Sequence, residues 1–291
     1  MKIGLRRAAL MSGPLLWIAG GNIAPLIEMA RISLLDTYPA APGHVSRISL
    51  DNYLSFLQNS VYLSAFLRSL AYGATTTLAA LIISYPLAYG IALKTPPRRR
   101  MRMLLLLIAP FWTSEIVRLF ALMLLLANQG AVNGLLRWIG VLDEPLSLLF
   151  GPLSVVLGML YIVLLAMLLP LYAALEKLPQ ELLDAAAGLG AGPWQQFLRV
   201  TLPLTREGIA SGCSLVFLIS LGALAAPMLL GGAGTTLFAT TINSLFASSA
   251  GRWPLGAAFG LILLTGGLAT AGLLVWVISP SALHPDKLRR A

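Results

Sequence analysis

LLDAAAGLGAGPWQQFLRVTLPL, residues 182–204, lies between two runs apolar enough to sit in a bilayer. Pro179 to Ala187 favours a helix, with Glu181 and Asp184 near its start, where the helix dipole stabilises negative charge. Gly188, Gly190 and Gly192 permit a turn, and Pro193 suits the first position of a second short helix. Trp194, Phe197, Leu198 and Val200 form one apolar face of that helix before Leu202-Pro203 redirects the chain. The small side chains of Ala185, Ala186 and Ala187 leave a surface that another protein can approach closely. The same residues also read as an amphipathic connector resting on lipid headgroups, so the flanking sequence has to decide between the two.

That flanking sequence is membranous. Of the 291 residues, 58% are hydrophobic and 11% charged, where a soluble domain carries about 25% charged residues. The length accommodates five to seven spans of about 20 residues each with little left for a separate soluble head, so a single transmembrane domain over 1–291 is expected. The net charge of +9 comes from short basic clusters beside apolar runs, which orient helices and do not form a nucleic-acid surface. The one cysteine, Cys213, excludes an intrachain disulfide, and two histidines, His44 and His284, outside the apolar runs argue against a metal site.

Hydropathy marks six helices, roughly Ala8 to Ile27, Ala65 to Leu93, Met103 to Leu126, Leu153 to Leu175, Ile209 to Leu230 and Ala257 to Ile278. The expected class is therefore all-α, a polytopic membrane protein with six transmembrane helices. The first resembles a signal peptide, with Lys2, Arg6 and Arg7 before the apolar run. That run continues through NIAPLI without a clear small-x-small cleavage site, so an uncleaved span is expected. With the N-terminus in the cytoplasm, fourteen of the twenty Lys and Arg residues fall on that side. Four, Arg31, Arg47, Arg137 and Arg252, fall on the other. This bias puts both termini in the cytoplasm, makes about 177–204 a cytoplasmic loop, and makes about 28–63 an extracytoplasmic one.

Within the spans, Glu115 and Arg118 in APFWTSEIVRLF lie three apart, neighbours on one face near the middle of the third helix. Ionisable groups at that depth cost about 3 kcal/mol each or more unless paired or facing an aqueous cavity. Two readings stand side by side: an intrahelical ion pair that locks the bundle, and a place on a translocation pathway. Trp112, Phe111 and Tyr85 present ring faces suited to ammonium groups, although aromatic residues in spans more often serve packing. Pro86, Pro110, Pro170 and Pro227 mark candidate breaks in four helices. Arg68 is placed to snorkel at the outer end of helix two, Arg137 and Trp138 to lie at the outer interface, and the Ser/Thr-rich stretch from Gly231 to Gly256 to form a re-entrant element.

The loop of the opening lines resembles the EAA loop of ATP-binding-cassette importer permeases, Glu-Ala-Ala, three residues, Gly, nine residues, Ile, one residue, Leu-Pro. Here Asp184-Ala185-Ala186, Gly190, Val200 and Leu202-Pro203 keep every spacing, with Asp for Glu and Val for Ile. LDNYLSFL, SYPLAYGIAL, APFWTSEIVR, NGLLRWIGVLDEP, LPLYAALEKLPQELLDAA and RWPLGAA resemble the spermidine/putrescine branch of that family over most of residues 50 to 277. The resemblance implies the type I ABC importer permease fold. It implies that Asp184, Ala185, Ala186, Gly190, Val200, Leu202 and Pro203 couple to an ATPase dimer that holds ATP and Mg, with no cofactor on this chain. It further implies a second permease subunit, different or identical, an extracytoplasmic solute-binding protein, and residence in a bacterial inner membrane. The implied solute is a polyamine. Relatives take opines, amino-acid derivatives, organophosphonates or metal complexes.

The chain contains no G-x-x-x-x-G-K-[ST] phosphate cradle, so on this reading a partner supplies the energy. Two rival classes are weighed against the importer. A membrane enzyme using Glu115 as acid or base lacks a companion nucleophile, metal cluster or second buried carboxylate. A passive channel or scaffold would be told apart by transport that survives without nucleotide.

Overall fold

The computed structural model describes residues 13, 17, 19–39, 46–141, 143–248 and 252–279. A π-turn, Ala19–Ile23, leads into α1 (Ala24–Ser33), followed by α2 (Asp51–Gln58) and α3 (Ser60–Tyr89), which continues as a π-turn through Gly90–Lys94. Next come α4 (Pro97–Ile108), a 3-10 turn (Ala109–Trp112), α5 (Glu115–Leu126), α6 (Ala131–Trp138) and α7 (Pro152–Glu176). The loop of residues 182–204 folds as α8 (Gln180–Gly188) and α9 (Pro193–Gln196), extended by a π-turn (Phe197–Thr201) and a last turn (Leu202–Leu204). The chain ends in α10 (Arg206–Leu221), α11 (Ala225–Leu230), α12 (Phe238–Ala247) and α13 (Trp253–Ile278). Apart from an isolated antiparallel bridge between Leu35 and Ile48, the regular structure of the described residues is helical.

Among the described residues, four helical stretches are long and apolar enough to cross a membrane: Ser60–Lys94, Glu115–Trp138, Pro152–Glu176 and Trp253–Ile278. A bent pair, Pro193–Leu204 with Arg206–Leu221, makes a fifth if it is one span. Of the expected first span, Ala8 to Ile27, residues 8–12, 14–16 and 18 lie outside the described residues, as do the terminal basic clusters, His44 and His284.

Two expected spans are interrupted. The third, expected from Met103 to Leu126 with Pro110 as a candidate break, stops at Ile108 and restarts at Glu115, with Thr113 and Ser114 in extended conformation between. Pro110 is the physical cause: it has no N–H to donate into the preceding turn, and its ring crowds the carbonyl four residues back. The fifth, expected from Ile209 to Leu230, breaks between Leu221 and Ala225. Pro86 and Pro170, by contrast, sit inside continuous helices, and Pro227 lies in the first turn of α11.

The chain divides into two compact units, Met1–Ala65 with Thr241–Thr265, and Phe66–Thr240 with Gly266–Ala291. In the first, Asn52 from the LDNYLSFL stretch donates its amide to the carbonyls of Ser33 (2.9 Å) and Leu35 (2.8 Å), closing the chain after α1. The Phe259 ring packs edge-on against Tyr62 (4.7 Å) and Phe56 (5.9 Å). Arg31 and Glu28 pair one turn apart on α1, Nε to Oε2 at 2.9 Å.

The second unit is built on the contact of α10 with α7. Lipid tails are as apolar as the side chains, so helices here associate by close packing, for which small residues are needed. Gly208 and Gly212, four apart on α10, supply that approach. A Cβ on Gly212 would stand 2.9 Å from Met167 Sδ, and one on Gly208 would stand 2.9 Å from the Pro170 carbonyl and against Ala174. Around this seam Met167, Leu171, Leu175, Cys213 and Val216 are buried together with Ala80 and Ala88 of α3. A second cluster joins Leu119 of α5, Val155 and Met159 of α7, and Ala226 and Leu230 of α11.

Candidate functional site

The hinge of residues 180–204 is built from its glycines outward. α8 begins after Pro179 with Glu181 in its first turn. It ends in a Schellman arrangement: the Ala191 N–H donates to the Ala186 carbonyl (3.0 Å) and the Gly190 N–H to the Ala187 carbonyl (2.9 Å). Gly190 takes φ +82° at the position where a Cβ is disfavoured. Pro193 opens α9 at its first turn, and Gln196 Nε2 donates back to the Ala191 carbonyl (2.9 Å), fixing the angle between the two short helices.

Leu202-Pro203 does not redirect the chain, contrary to expectation. The helical path runs through both residues to Leu204 and bends by 66° only at Thr205. Pro203 lies near the end of that path, directly after the π-turn of Phe197–Thr201. Thr205 donates its hydroxyl to the Thr201 carbonyl (2.8 Å) and shares a 2.9 Å bond with the Tyr85 hydroxyl. Phe197 packs edge-on against Tyr85 (5.6 Å) and Tyr89 (6.3 Å), while Trp194 stacks on its other side at 5.5 Å. The second short helix is thereby tied to α3.

Asp184, Ala185, Gly190 and Pro203 are exposed, and Ala186, Val200 and Leu202 half-buried. Leu189 is 89% exposed and Trp194 69%. Together with Leu182 and Leu198 they make an uncovered apolar surface on a polar-flanked hinge, the kind of surface that marks an interaction site. Behind the hinge, a groove of about 540 Å3 runs between Lys177, Pro179, Leu182, Leu204, Glu207 and Ser211.

The five candidate pathway residues are placed differently from one another. Glu115 is the first residue of α5, following Ser114, and not the middle of a continuous helix. The Glu115–Arg118 ion pair does not form. The Arg118 guanidinium lies 5.0 Å from the Phe111 ring centre and 5.3 Å from that of Tyr161, with Nε and Nη1 buried and without hydrogen-bond partners among the described residues. An aromatic face attracts a desolvated cation by about 2 kcal/mol, which accounts for its orientation. Phe111 and Arg118 are thus brought together, and Tyr161 joins them from α7. Trp112 is 85% exposed on the chain. Tyr85 is buried and engaged with Thr205 and Phe197 at the hinge.

Glu115 borders a cavity of about 280 Å3 together with Met159 and Ile162 of α7 and Ser220, Gly222 and Leu224 at the break between α10 and α11. Ser220, Tyr161, Thr205 and Leu189 carry no sequence signal of their own. They acquire meaning only from neighbours on other helices or from the shape of the turn. Arg68, expected at the interface, donates Nη1 to the Gly234 carbonyl at 3.0 Å.

Comparison with known proteins decides the family. Residues 82–279 match the family of the binding-protein-dependent transport system inner membrane component. The chain belongs to that family. It is 40% identical over 215 residues to the spermidine/putrescine transport system permease protein PotB of Escherichia coli (strain K12), covering 74% of this chain and 77% of the relative. It is 36% identical over 245 residues to PotB of Haemophilus influenzae, covering 84% of each. Its fold is similar to that in a crystal structure of a bacterial alginate ABC transporter in complex with alginate pentasaccharide-bound periplasmic protein. There the TM-score is 0.70, the identity 20%, and the coverage 97% of this chain and 96% of that one. The protein is a transport subunit of an ABC importer with the permease fold. The matched region holds the hinge, the cavity and both interrupted spans of this inner-membrane permease.

Proposed function

We propose that this permease forms half of the translocation pathway of an importer for a polyamine such as spermidine or putrescine. Its relatives are spermidine/putrescine transport permeases, which supports the solute class. A solute-binding protein on the outer side delivers the polyamine, a second permease subunit completes the pathway, and an ATPase dimer holding ATP and Mg2+ drives it. The observation that carries the reading is the hinge, a glycine-capped pair of short helices with its apolar side uncovered.

On this reading Asp184, Ala185, Ala186 and Gly190 form the face against the ATPase, and Val200, Leu202 and Pro203 carry its movement inward. The ATPase surface covers Leu189 and Trp194. Closure of the ATPase dimer on ATP displaces α8 and α9. The displacement reaches α3 through Phe197 and the Tyr85–Thr205 bond, and reaches α10 through the bend at Thr205. Because α10 is seated on α7 through Gly208 and Gly212, the two move as one body, which is how a rigid-body rocking of half a pathway begins. Both termini and the hinge lie in the cytoplasm.

The test is co-reconstitution of the two permease subunits, the ATPase and the loaded binding protein in vesicles, with labelled spermidine outside. Uptake is expected to require ATP and to fall about ten-fold or more with Trp194→Asp, which puts a charge into the covered apolar face. Uptake that proceeds without nucleotide rejects the reading in favour of a passive pore.

A further inference from the structure

We propose that Glu115, Ser220 and the C-terminal carbonyls of α10 form an ammonium-binding station in the cavity between α5, α7 and the α10–α11 break. The inference rests on the importer reading for its place on a pathway, and on the cavity alone for its chemistry.

Four observations point to a cation. The Glu115 carboxylate has no hydrogen-bond or ion-pair partner among the described residues. Arg118, the nearest basic residue along its helix, is held away between the rings of Phe111 and Tyr161. Ser220 is 1% exposed and borders the cavity, and its hydroxyl has no hydrogen-bond partner among the described residues. Finally, α10 is a 16-residue helix that ends at Leu221 beside the same cavity. A helix C-terminus carries about half a negative charge on its last carbonyls. The Gly222 and Ala223 N–H groups turn back onto the carbonyls of Leu218 and Ser220, both at 3.3 Å, which closes the helix beside the cavity.

A carboxylate, a buried hydroxyl and the end of α10 border one cavity, with walls of Met159, Ile162 and Val163. A primary ammonium has three N–H donors and no acceptor, and so satisfies three such groups at once. The apolar walls accept the methylenes beside it. A divalent metal is a poorer match, since no group of three His, Cys, Asp or Glu residues able to hold one occurs among the described residues. The depth is also right for a pathway. Sixteen residues of α10 rise about 24 Å from the basic cytoplasmic end at Arg206, which places Ser220 well within a hydrocarbon core about 30 Å thick.

The experiment uses the whole reconstituted complex with two readouts, ATP-dependent uptake of labelled spermidine and equilibrium binding of labelled spermidine to the solubilised nucleotide-free complex. Glu115→Gln is expected to lower both about ten-fold or more, Glu115→Asp to retain a substantial part, and Ser220→Ala to lower both about three-fold, in complexes that still assemble. Unaltered spermidine binding by Glu115→Gln overturns the station. So does loss of assembly in Glu115→Gln with full recovery in Glu115→Asp and no bound spermidine in the wild type, which would assign the carboxylate to a contact with the second subunit. A wild-type complex that binds spermidine through Glu115 but shows no ATP-driven uptake would sink the importer reading and leave the station standing.

Discussion

At Gly190 the backbone adopts φ +82°, and nothing lies within 4 Å of where a Cβ would be. The requirement there is conformational and not spatial. Left-handed backbone costs a residue with a Cβ about 1–2 kcal/mol, more when it is β-branched, and little for Asn. Gly190→Val is therefore expected to abolish ATP-driven uptake while the protein still reaches the membrane, and Gly190→Asn to keep most of it, as measured in the same vesicles. Equal uptake by both variants would mean the turn is not needed in that form. This glycine was legible from spacing alone, because a helix C-cap is a local event within six residues. The partner of Arg118 was not. Three-residue spacing on an assumed continuous helix offered Glu115 as its partner in one of two readings. The rings that hold the guanidinium lie in the preceding turn and, at Tyr161, on another helix altogether.

Between elements, the seam of α10 on α7 depends on Gly208, which faces Ala174 and the Pro170 backbone, and on Gly212, which faces the Met167 side chain. Gly208→Val would drive methyl groups into Ala174 and the Pro170 carbonyl, and Gly212→Leu into Met167. Overpacking of this kind costs about 1–3 kcal/mol. Each variant is expected to lower the thermal midpoint of the solubilised protein, whereas Gly272→Ala, on α13 with open space around it, should leave the midpoint unchanged. Identical midpoints for all three would disprove the seam. The helix interruptions are likewise a matter of elements. Pro110 announced one of them, but the break after Leu221 has no proline within it, and Gly222-Ala223-Leu224 is as apolar as a span. Hydropathy measures whether a segment suits lipid and is blind to whether its backbone is continuous. A broken span of this sort needs its freed carbonyls supplied by protein or by a water-lined cavity.

For the molecule as a whole, the distribution of basic residues makes a test of orientation direct. In a Cys213→Ser background, which replaces a buried thiol, Gln195→Cys on the exposed face of α9 is expected to react with a membrane-impermeant maleimide in inside-out vesicles and not in right-side-out ones. The opposite pattern would invert the topology and detach the hinge from any cytoplasmic ATPase. Composition and the spacing from Asp184 to Pro203 sufficed for the membrane class, the helical fold and the family, because burial in lipid, caps and turns are written in adjacent residues. The pairing of Arg118 with two rings, the release of Glu115, the tie of Phe197 and Thr205 to α3, and the cavity at the α10–α11 break were decided only by tertiary structure. Each joins residues from different helices, and helical periodicity carries no information about which face of one helix meets which face of another.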